Sequence, residues 1–169
     1  GNEFKIITQV FLYKFMNDKF GYEVKQIDAK LRNAENWEAE IAKYSEKQYQ
    51  TLLDKMSPDS AQLKREHYLS YLHNEQNREE FAKFFDDTLR DIAITNNDIF
   101  AVKTGSGAKI QLFDELSNYI TDSSQRDNFC RALINQLVKF SFEKIFIQKF
   151  DFFATIFEYL IKDYNKDGG

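Results

Sequence analysis

The sequence has few of the residues that build covalent or metal-held scaffolds. Its 169 residues include one cysteine, Cys130, and two histidines, His67 and His73. A single cysteine excludes an internal disulfide, and no cluster of Cys and His has the spacing of a zinc site. We therefore expect an apolar core to hold the fold, with Cys130 as a small buried hydrophobe in it; the alternative is a reactive thiol.

Proline and glycine are also scarce, which removes two kinds of catalytic motif. Pro58 is the only proline, so a motif with consecutive prolines is absent from these residues. The only glycine-rich stretch inside the chain is Gly105-Ser106-Gly107. A phosphate-cradling loop would need a third glycine or a Gly-Lys-Ser/Thr ending, and Ile110 stands there instead. We interpret the motif as a turn rather than a nucleotide site.

Long apolar runs and an excess of positive charge are missing as well. No run reaches the roughly 20 residues of a membrane span, and the first residues lack the layout of a signal peptide, so we expect a cytoplasmic protein. Lys and Arg number 23 against 27 Asp and Glu, which gives a net charge of −4. Both halves of the chain share this balance, so neither has the basic character of a nucleic-acid-binding domain.

Aromatic side chains in helical patterns are abundant, at 16% of the residues. Within residues 3–20 a broad apolar stripe recurs at helical spacing, formed by Phe4, Ile7, Val10, Phe11, Met16 and Phe20. A helix with so much apolar surface is buried in a core or docked on a neighbour. Gly21 is expected to end it.

Cap residues predict where later helices begin. Ser57 followed by Pro58 is typical of a helix start, and Asn77 with Glu80 resembles a capping box before a helix from residue 81 to about residue 95. A short helix is expected over residues 113–120, and Asp122 or Ser123 should cap the next. The core-facing positions of that helix are predicted to be Phe129, Leu133, Leu137 and Phe140.

These patterns predict an all-α fold with a single helical domain over residues 1–164. We expect about seven or eight helices, with an irregular loop or small hairpin near residues 96–112. Residues 150–164 repeat apolar side chains at helical spacing, and residues 165–169 read as a flexible exit. We expect this exit to be a linker toward an absent catalytic domain.

Two sets of titratable residues are candidate catalytic sites. His67 and His73 are six residues apart, which places them on different faces of a helix and disfavours a shared metal or base role. Five carboxylates fall on one helix: Glu79, Glu80, Asp86, Asp87 and Asp91. A solvated face is the favoured interpretation, and a small helical enzyme that uses these carboxylates in a cleft is the alternative.

The most basic stretch of the chain lies between residues 131 and 149. Its positive side chains are Arg131, Lys139, Lys144 and Lys149; Phe140, Phe142 and Phe146 are interleaved with them and Phe150 follows directly. Lysines beside aromatic rings can grip a phosphate backbone, or their stems can cover a core while the charges stay in water. These four residues are our candidate DNA-phosphate contacts.

Two stretches resemble a known family. ITQVFLYKFMNDKFGYE (residues 7–23) and FDFFATIFEYLIKDYNKDGG (residues 150–169) are similar to the N-terminal helical region of the modification subunit of type I restriction-modification systems, the adenine-specific DNA methyltransferases. Residues 100–121, FAVKTGSGAKIQLFDELSNYIT, fit the same picture less distinctively. The resemblance implies a helical domain that precedes a catalytic domain, which binds S-adenosylmethionine and holds a flipped adenine in an Asn-Pro-Pro-aromatic motif.

Neither family motif occurs in these residues, so no catalytic or cofactor-binding residue is carried over. The resemblance implies a non-catalytic domain that helps subunit assembly and DNA enclosure. Its expected partners are its own C-terminal methyltransferase domain, the specificity and restriction subunits, and DNA, with no membrane. The alternative is a stand-alone all-α protein-interaction module unrelated to DNA modification.

Overall fold

One long helix, α1 (Asn2–Ile27), forms the centre against which other elements pack. The structure is a computed structural model that describes residues 2–99 and 113–147. The buried apolar side chains of α1 come from several faces of the helix: Ile6, Val10, Leu12, Tyr13, Phe15, Met16, Phe20 and Val24. The expected docking of this helix is therefore confirmed, but Phe4, Ile7 and Phe11 of the predicted stripe are exposed. The helix also continues through Gly21, where the sequence predicted its end.

The remaining helices are all shorter than α1. They are α2 (Ala29–Arg32), α3 (Trp37–Ile41), α4 (Glu46–Asp54), α5 (Leu69–Asn74), α6 (Phe81–Thr95), α7 (Arg126–Leu137) and α8 (Glu143–Ile147). Single 3-10 turns cover Arg65–His67, Leu116–Tyr119 and Ser123–Gln125. Residues 2–99 and 113–147 contain no strand, and the all-α prediction is confirmed.

Side-chain caps explain why the short helices α2 to α4 begin where they do. The Asp28 carboxylate accepts from the backbone N–H of Lys30, and the Asn36 side chain accepts from two N–H groups at the start of α3. Ser45 and Gln48 form a capping box at the start of α4. Each cap satisfies backbone donors that the first turn of a helix leaves unpaired.

The predicted helix at Ser57 and Pro58 is wrong. The chain makes a turn there, in which the N–H of Ser60 donates to the carbonyl of Ser57, and then runs without regular structure to residue 64. The reason is a long-range contact. Asn96, at the end of α6, accepts from the N–H of Gln62 at 2.7 Å and donates to its carbonyl at 2.8 Å. In a helix, the N–H and carbonyl of Gln62 would bond to other backbone groups of that helix and could not both bond to Asn96.

The predicted capping box at Asn77 is also wrong. Glu80 precedes α6 with a φ of 55°, in the left-handed region, and its side chain makes no cap. In the first turn of α6 the N–H of Ala82 has no partner within the helix. It donates instead to the Asp127 carboxylate of α7, at 2.9 Å. A cap supplied by a distant residue leaves no local sequence pattern.

The face of α7 is shifted from its predicted position. Its buried residues are Cys130, Ile134 and Leu137, whereas Phe129 is exposed. Asp122 accepts from the N–H of Ser124 and so caps the 3-10 turn that leads into α7, as predicted. The helix expected over residues 113–120 is only a 3-10 turn.

Several predictions fall on residues that the structure does not describe. These are the loop or hairpin through residues 100–112 with its Gly-Ser-Gly turn, the helix over residues 150–164, and the linker at residues 165–169. Within the described parts of the chain, no helix has both the length and the apolar character that a bilayer crossing requires.

Candidate functional site

The basic stretch runs from α7, which packs on α5 and α6, to α8, which packs on α1, and its first residue has a structural role. The guanidinium of Arg131 donates from Nε to the carbonyl of Gln76 at 2.6 Å and from Nη1 to Asn128 at 3.0 Å. A longer contact of 3.4 Å reaches the carbonyl of Arg78. Arg131 therefore ties α7 to the turn before α6, and most of its donors are used within the fold.

Lys139 and Lys144 differ from Arg131. Both side chains are exposed, and neither ammonium group makes a hydrogen bond or ion pair with another described residue. Lys149 lies outside the described residues. Of the four predicted phosphate contacts, Lys139 and Lys144 are thus exposed to solvent, whereas Arg131 makes hydrogen bonds within the fold.

The phenylalanines of this stretch pack on α1. Phe146 contacts Phe15 with ring centroids 5.0 Å apart, and Phe142 lies 6.1 Å from Phe11 and from Phe15. Phe140 also approaches Phe11 at 6.1 Å, although 39% of its surface remains exposed. Rings held in such clusters are not free to stack on nucleic-acid bases. Phe142 and Phe146 therefore serve the fold.

Charged groups fix the same segment to α1. Lys14 and Asp18 form an ion pair at 3.1 Å, and their side chains are only 5% and 8% exposed. Asp18 also accepts from the N–H of Phe142 at 2.9 Å, and Lys25 of α1 pairs with Glu143 at 2.7 Å. The surface that carries Lys139 and Lys144 is consequently held in one position relative to α1.

The predicted acidic face is only partly solvated. Glu79, Glu80 and Asp87 are exposed, but Asp86 is buried. The Ser117 hydroxyl donates to the Asp86 carboxylate, which also accepts a weaker contact from the Ser117 N–H at 3.4 Å. Burial raises the pKa of Asp86, although the hydrogen bonds from Ser117 act in the opposite direction. The interpretation of Asp86 as a solvated residue was wrong.

Asp91, the last of the five carboxylates, is paired with a buried histidine. His67 is 1% exposed; its Nδ1 accepts from the N–H of Lys64 at 3.0 Å, and its Nε2 lies 2.6 Å from the Asp91 carboxylate. Nδ1 can accept only in the tautomer that carries its proton on Nε2, so Nε2 donates to Asp91. The Lys64 ammonium contacts the same carboxylate at 3.0 Å.

Protonation equilibria follow from this arrangement. Burial lowers the pKa of His67 even though Asp91 acts to raise it. For Asp91, burial acts to raise the pKa, but hydrogen bonds from Lys64 and His67 and their charges lower it below its ordinary value. Both ring nitrogens of His67 are used by the fold, so the ring would have to give up a hydrogen bond to act as a base.

Cys130 is buried, as predicted, and burial raises the pKa of its thiol to about 12. The thiol therefore stays protonated at neutral pH and is a poor nucleophile. Among residues 2–99 and 113–147, no group of three or more His, Cys, Asp or Glu side chains is placed to hold a metal ion.

The two buried polar pairs, His67 with Asp91 and Asp86 with Ser117, were hard to predict from the sequence. Asp91 lies 24 residues from His67, and Asp86 lies 31 residues from Ser117. One signal was present for Asp86: it falls between the core residues Ala82, Phe85 and Leu89 at helical spacing, which places it on the apolar face of α6. A carboxylate at such a position needs a partner from another element.

Comparison of this chain with protein-family models, with curated proteins and with solved structures finds no match. The resemblance to type I modification subunits therefore depends on the helical sequence patterns alone.

Proposed function

We propose that this chain is a non-catalytic N-terminal domain of a type I restriction-modification DNA methyltransferase subunit, with a role in subunit assembly and DNA enclosure. Methyl transfer from S-adenosylmethionine to adenine N6 belongs, in this proposal, to a separate catalytic domain of the same protein. The proposed partners are that domain, the specificity and restriction subunits, and DNA, and the proposed location is the cytoplasm.

One observation carries the non-catalytic part of the proposal. The buried titratable side chains of the described residues are bound by structural partners, as with His67 by Lys64 and Asp91, and Asp86 by Ser117. A catalytic acid or base needs a group that is free to exchange its proton with a substrate. These groups instead hold the helices together, as is expected of a supporting domain.

The proposed DNA contacts lie on the surface beside α1. Lys139 and Lys144 extend into solvent, and Lys149 follows ten residues after Lys139 along the chain. Arg131 stays in the proposal as a residue that positions this surface, because its guanidinium bonds the turn before α6. Neutralising phosphates with such side chains gives affinity that falls as the salt concentration rises.

The gene and its product test the proposal together. A glycine motif and an Asn-Pro-Pro-aromatic motif encoded downstream, with adenine methylation by the whole subunit bound to its specificity subunit, are the expected results. The chain alone should transfer no methyl group from radiolabelled S-adenosylmethionine to DNA. A gene that lacks both motifs, or methylation by the chain unaided, would overturn the proposal.

DNA contact is tested separately on the assembled enzyme. Changing Lys139, Lys144 and Lys149 to Ala should weaken DNA binding and reduce the slope of log affinity against log salt by about 0.9 for each lost phosphate contact. An unchanged affinity and slope would remove these lysines from the DNA surface.

A specific observation favours the second candidate, a protein-interaction module. Ile7, Phe11, Val138 and Phe140 are between 38% and 51% exposed, and Phe11 contacts Phe140. Exposed apolar side chains that gather in one region are typical of protein interfaces. Tight binding to a protein outside any restriction-modification complex, lost on Ile7→Glu but kept on Ile94→Glu, would favour this function over the first.

A further inference from the structure

A groove between α4 and the end of α1 carries positive charges that the fold leaves unpaired. Its volume is about 450 Å³, and its lining includes Lys30, Lys47 and Lys55. All three side chains are exposed. None of their ammonium groups makes an ion pair or hydrogen bond within residues 2–99 and 113–147. This cluster stands out in a chain whose net charge is −4.

The only carboxylate in the groove lining, Asp28, is occupied. One of its oxygens accepts from the N–H of Lys30 at 2.9 Å, and the other accepts from the hydroxyl of Tyr44. Asp28 thus caps the start of α2 and also holds Tyr44, which lies just before α4. Three positive charges face one carboxylate, whose negative charge offsets only one of them, so the groove attracts anions.

The other lining groups suit an extended anion. Gln48 and Thr51 are exposed on the same side of α4, whereas Leu52 below them is buried. The Thr51 hydroxyl donates to the carbonyl of Lys47, so the neutral donor left for a ligand is Nε2 of Gln48. Lys47 lies in the first turn of α4 and Lys55 is the residue that caps its end, so their Cα atoms are separated by about 12 Å along the helix axis. Charges spread over that distance fit a polymer of anions better than a single small one.

We propose that this groove binds the phosphodiester backbone of double-stranded DNA without reading its base sequence. Lysine is a point-charge ligand that suits phosphate, whereas planar carboxylates of an acidic protein favour arginine, and none of the described arginines lines the groove. Among the described residues the only aromatic side chain in the lining is Tyr44, whose hydroxyl donates to Asp28. With no free ring on which bases could stack, a duplex is favoured over a single strand.

This inference stands on the groove and does not depend on the methyltransferase proposal. DNA binding by the groove in a protein whose gene lacks methyltransferase motifs would uphold the groove and remove that function. The reverse result, an adenine methyltransferase whose groove variant binds DNA normally, would remove the groove and keep the function.

The test compares two triple variants of the whole chain. One changes Lys30, Lys47 and Lys55 to Gln, and the matched control changes Lys19, Lys43 and Lys83 to Gln, three lysines that line neither the groove nor the surface of Lys139 and Lys144. Each removes three positive charges, so a general effect of net charge is the same in both. Circular dichroism and thermal unfolding first establish that both variants fold.

Binding is measured by fluorescence anisotropy with a labelled duplex of about 20 base pairs, at several salt concentrations. We expect the groove variant to lose about tenfold or more in affinity at low salt, with a salt slope lower by about 2 to 3, and the control to lose less than about threefold. Absence of duplex binding by the unaltered chain, an equal loss in both variants, or a larger loss in the control would overturn the proposal. Equally strong competition by polyglutamate would also overturn it, in favour of an acidic protein partner.

Discussion

Gly21 lies so close to the indole of Trp37 that a Cβ atom at position 21 would stand 2.7 Å from Cζ2 of that ring. The helix α1 passes over the first residue of α3 at this point, and Trp37 also packs against Phe20 and Tyr68. The glycine therefore permits a close approach of two elements. It does not end the helix, which continues to Ile27.

We expect Gly21→Ala to destabilise the fold. Helix propensity alone predicts a gain of about 1 kcal/mol from alanine inside a helix. The added methyl group would press on the rigid indole, and overpacking of this kind costs about 1–3 kcal/mol. Urea unfolding followed by circular dichroism measures the difference, and a more stable variant would contradict the packing argument.

A second background isolates the contact with Trp37. In a Trp37→Ala chain the space beside Gly21 is empty, so Gly21→Ala should there be neutral or stabilising by up to about 1 kcal/mol. The coupling between the two substitutions is the quantity of interest. A cost from Gly21→Ala that is the same in both backgrounds would show that Trp37 is not its cause.

The glycine also illustrates which features the sequence could predict. The all-α fold, the burial of α1 and the burial of Cys130 follow from periodicity and residue type, which are local properties. The glycine at position 21, the segment after Pro58 and the start of α6 are explained by Trp37, Asn96 and Asp127. These residues lie 16, 34 and 45 positions along the chain from the residues they contact. No local pattern contains those contacts.

The candidate site divides in the same way. Residue type alone identified the cationic side chains of residues 131–149, and solvent exposure of Lys139 and Lys144 agrees with it. The use of Arg131 within the fold could not be predicted, because its acceptor is the carbonyl of Gln76, 55 residues away. Backbone carbonyls are present at every position, so sequence does not mark the one that an arginine will bond.

Glu80 is predicted to be a site of backbone strain. Its φ of 55° is unfavourable for a side chain with a Cβ atom, at a cost of roughly 1 kcal/mol. Asparagine tolerates this region and is preferred before a helix, so Glu80→Asn should raise the free energy of unfolding by about 0.5–1 kcal/mol. Chemical denaturation measures it. Glu79→Asn, at an exposed neighbour without positive φ, is the control and should give no gain.

Acid should destabilise the chain through His67. Burial lowers its pKa in the folded chain below the ordinary value of 6.5, so the unfolded chain binds more protons as the pH falls through 6.5. The free energy of unfolding should therefore decrease on acidification in this range, by at most about 1.4 kcal/mol per pH unit for one group. Asp91 titrates at lower pH, since its pKa is lowered from 3.8.

A substitution at His67 isolates its contribution. His67→Gln keeps an acceptor for Lys64 and a donor for Asp91 but does not titrate, so its stability should vary less with pH between about pH 5 and pH 7.5. The unaltered chain is the reference. Urea unfolding at several pH values measures both, and an unchanged pH profile in the His67 variant would contradict the assignment.

Arg131 should contribute to stability, whereas Lys139 and Lys144 should not. Arg131→Ala leaves the half-buried carbonyl of Gln76 without its charged donor, and a loss of about 1–3 kcal/mol is expected. Lys139→Ala and Lys144→Ala remove exposed side chains and should stay within about 0.5 kcal/mol of the unaltered chain. An Arg131→Ala variant with unchanged thermal stability would show that the hydrogen bonds of this guanidinium do not stabilise the fold.

The buried pair of Lys14 and Asp18 gives the largest predicted effect. Asp18→Ala leaves the Lys14 ammonium in a site where its side chain is 5% exposed, and removes the acceptor of the Phe142 N–H. Breaking a buried ion pair from one side costs about 3–5 kcal/mol. We expect this loss in urea unfolding, together with faster hydrogen exchange at the Phe142 amide.

Removing both charges should cost less than removing one. With Lys14→Met and Asp18→Leu combined, no ion is left buried, and the remaining penalty is the loss of Asp18 as acceptor for the Phe142 N–H and for the Asn17 side-chain amide, at about 1–3 kcal/mol for each donor. A double variant less stable than Asp18→Ala would mean that the attraction within the pair exceeds the cost of burying its charges. If the double variant is the more stable of the two, as expected, desolvation offsets most of what the attraction between Lys14 and Asp18 contributes to stability. The pair then acts mainly to fix where residues 138–147 lie on α1.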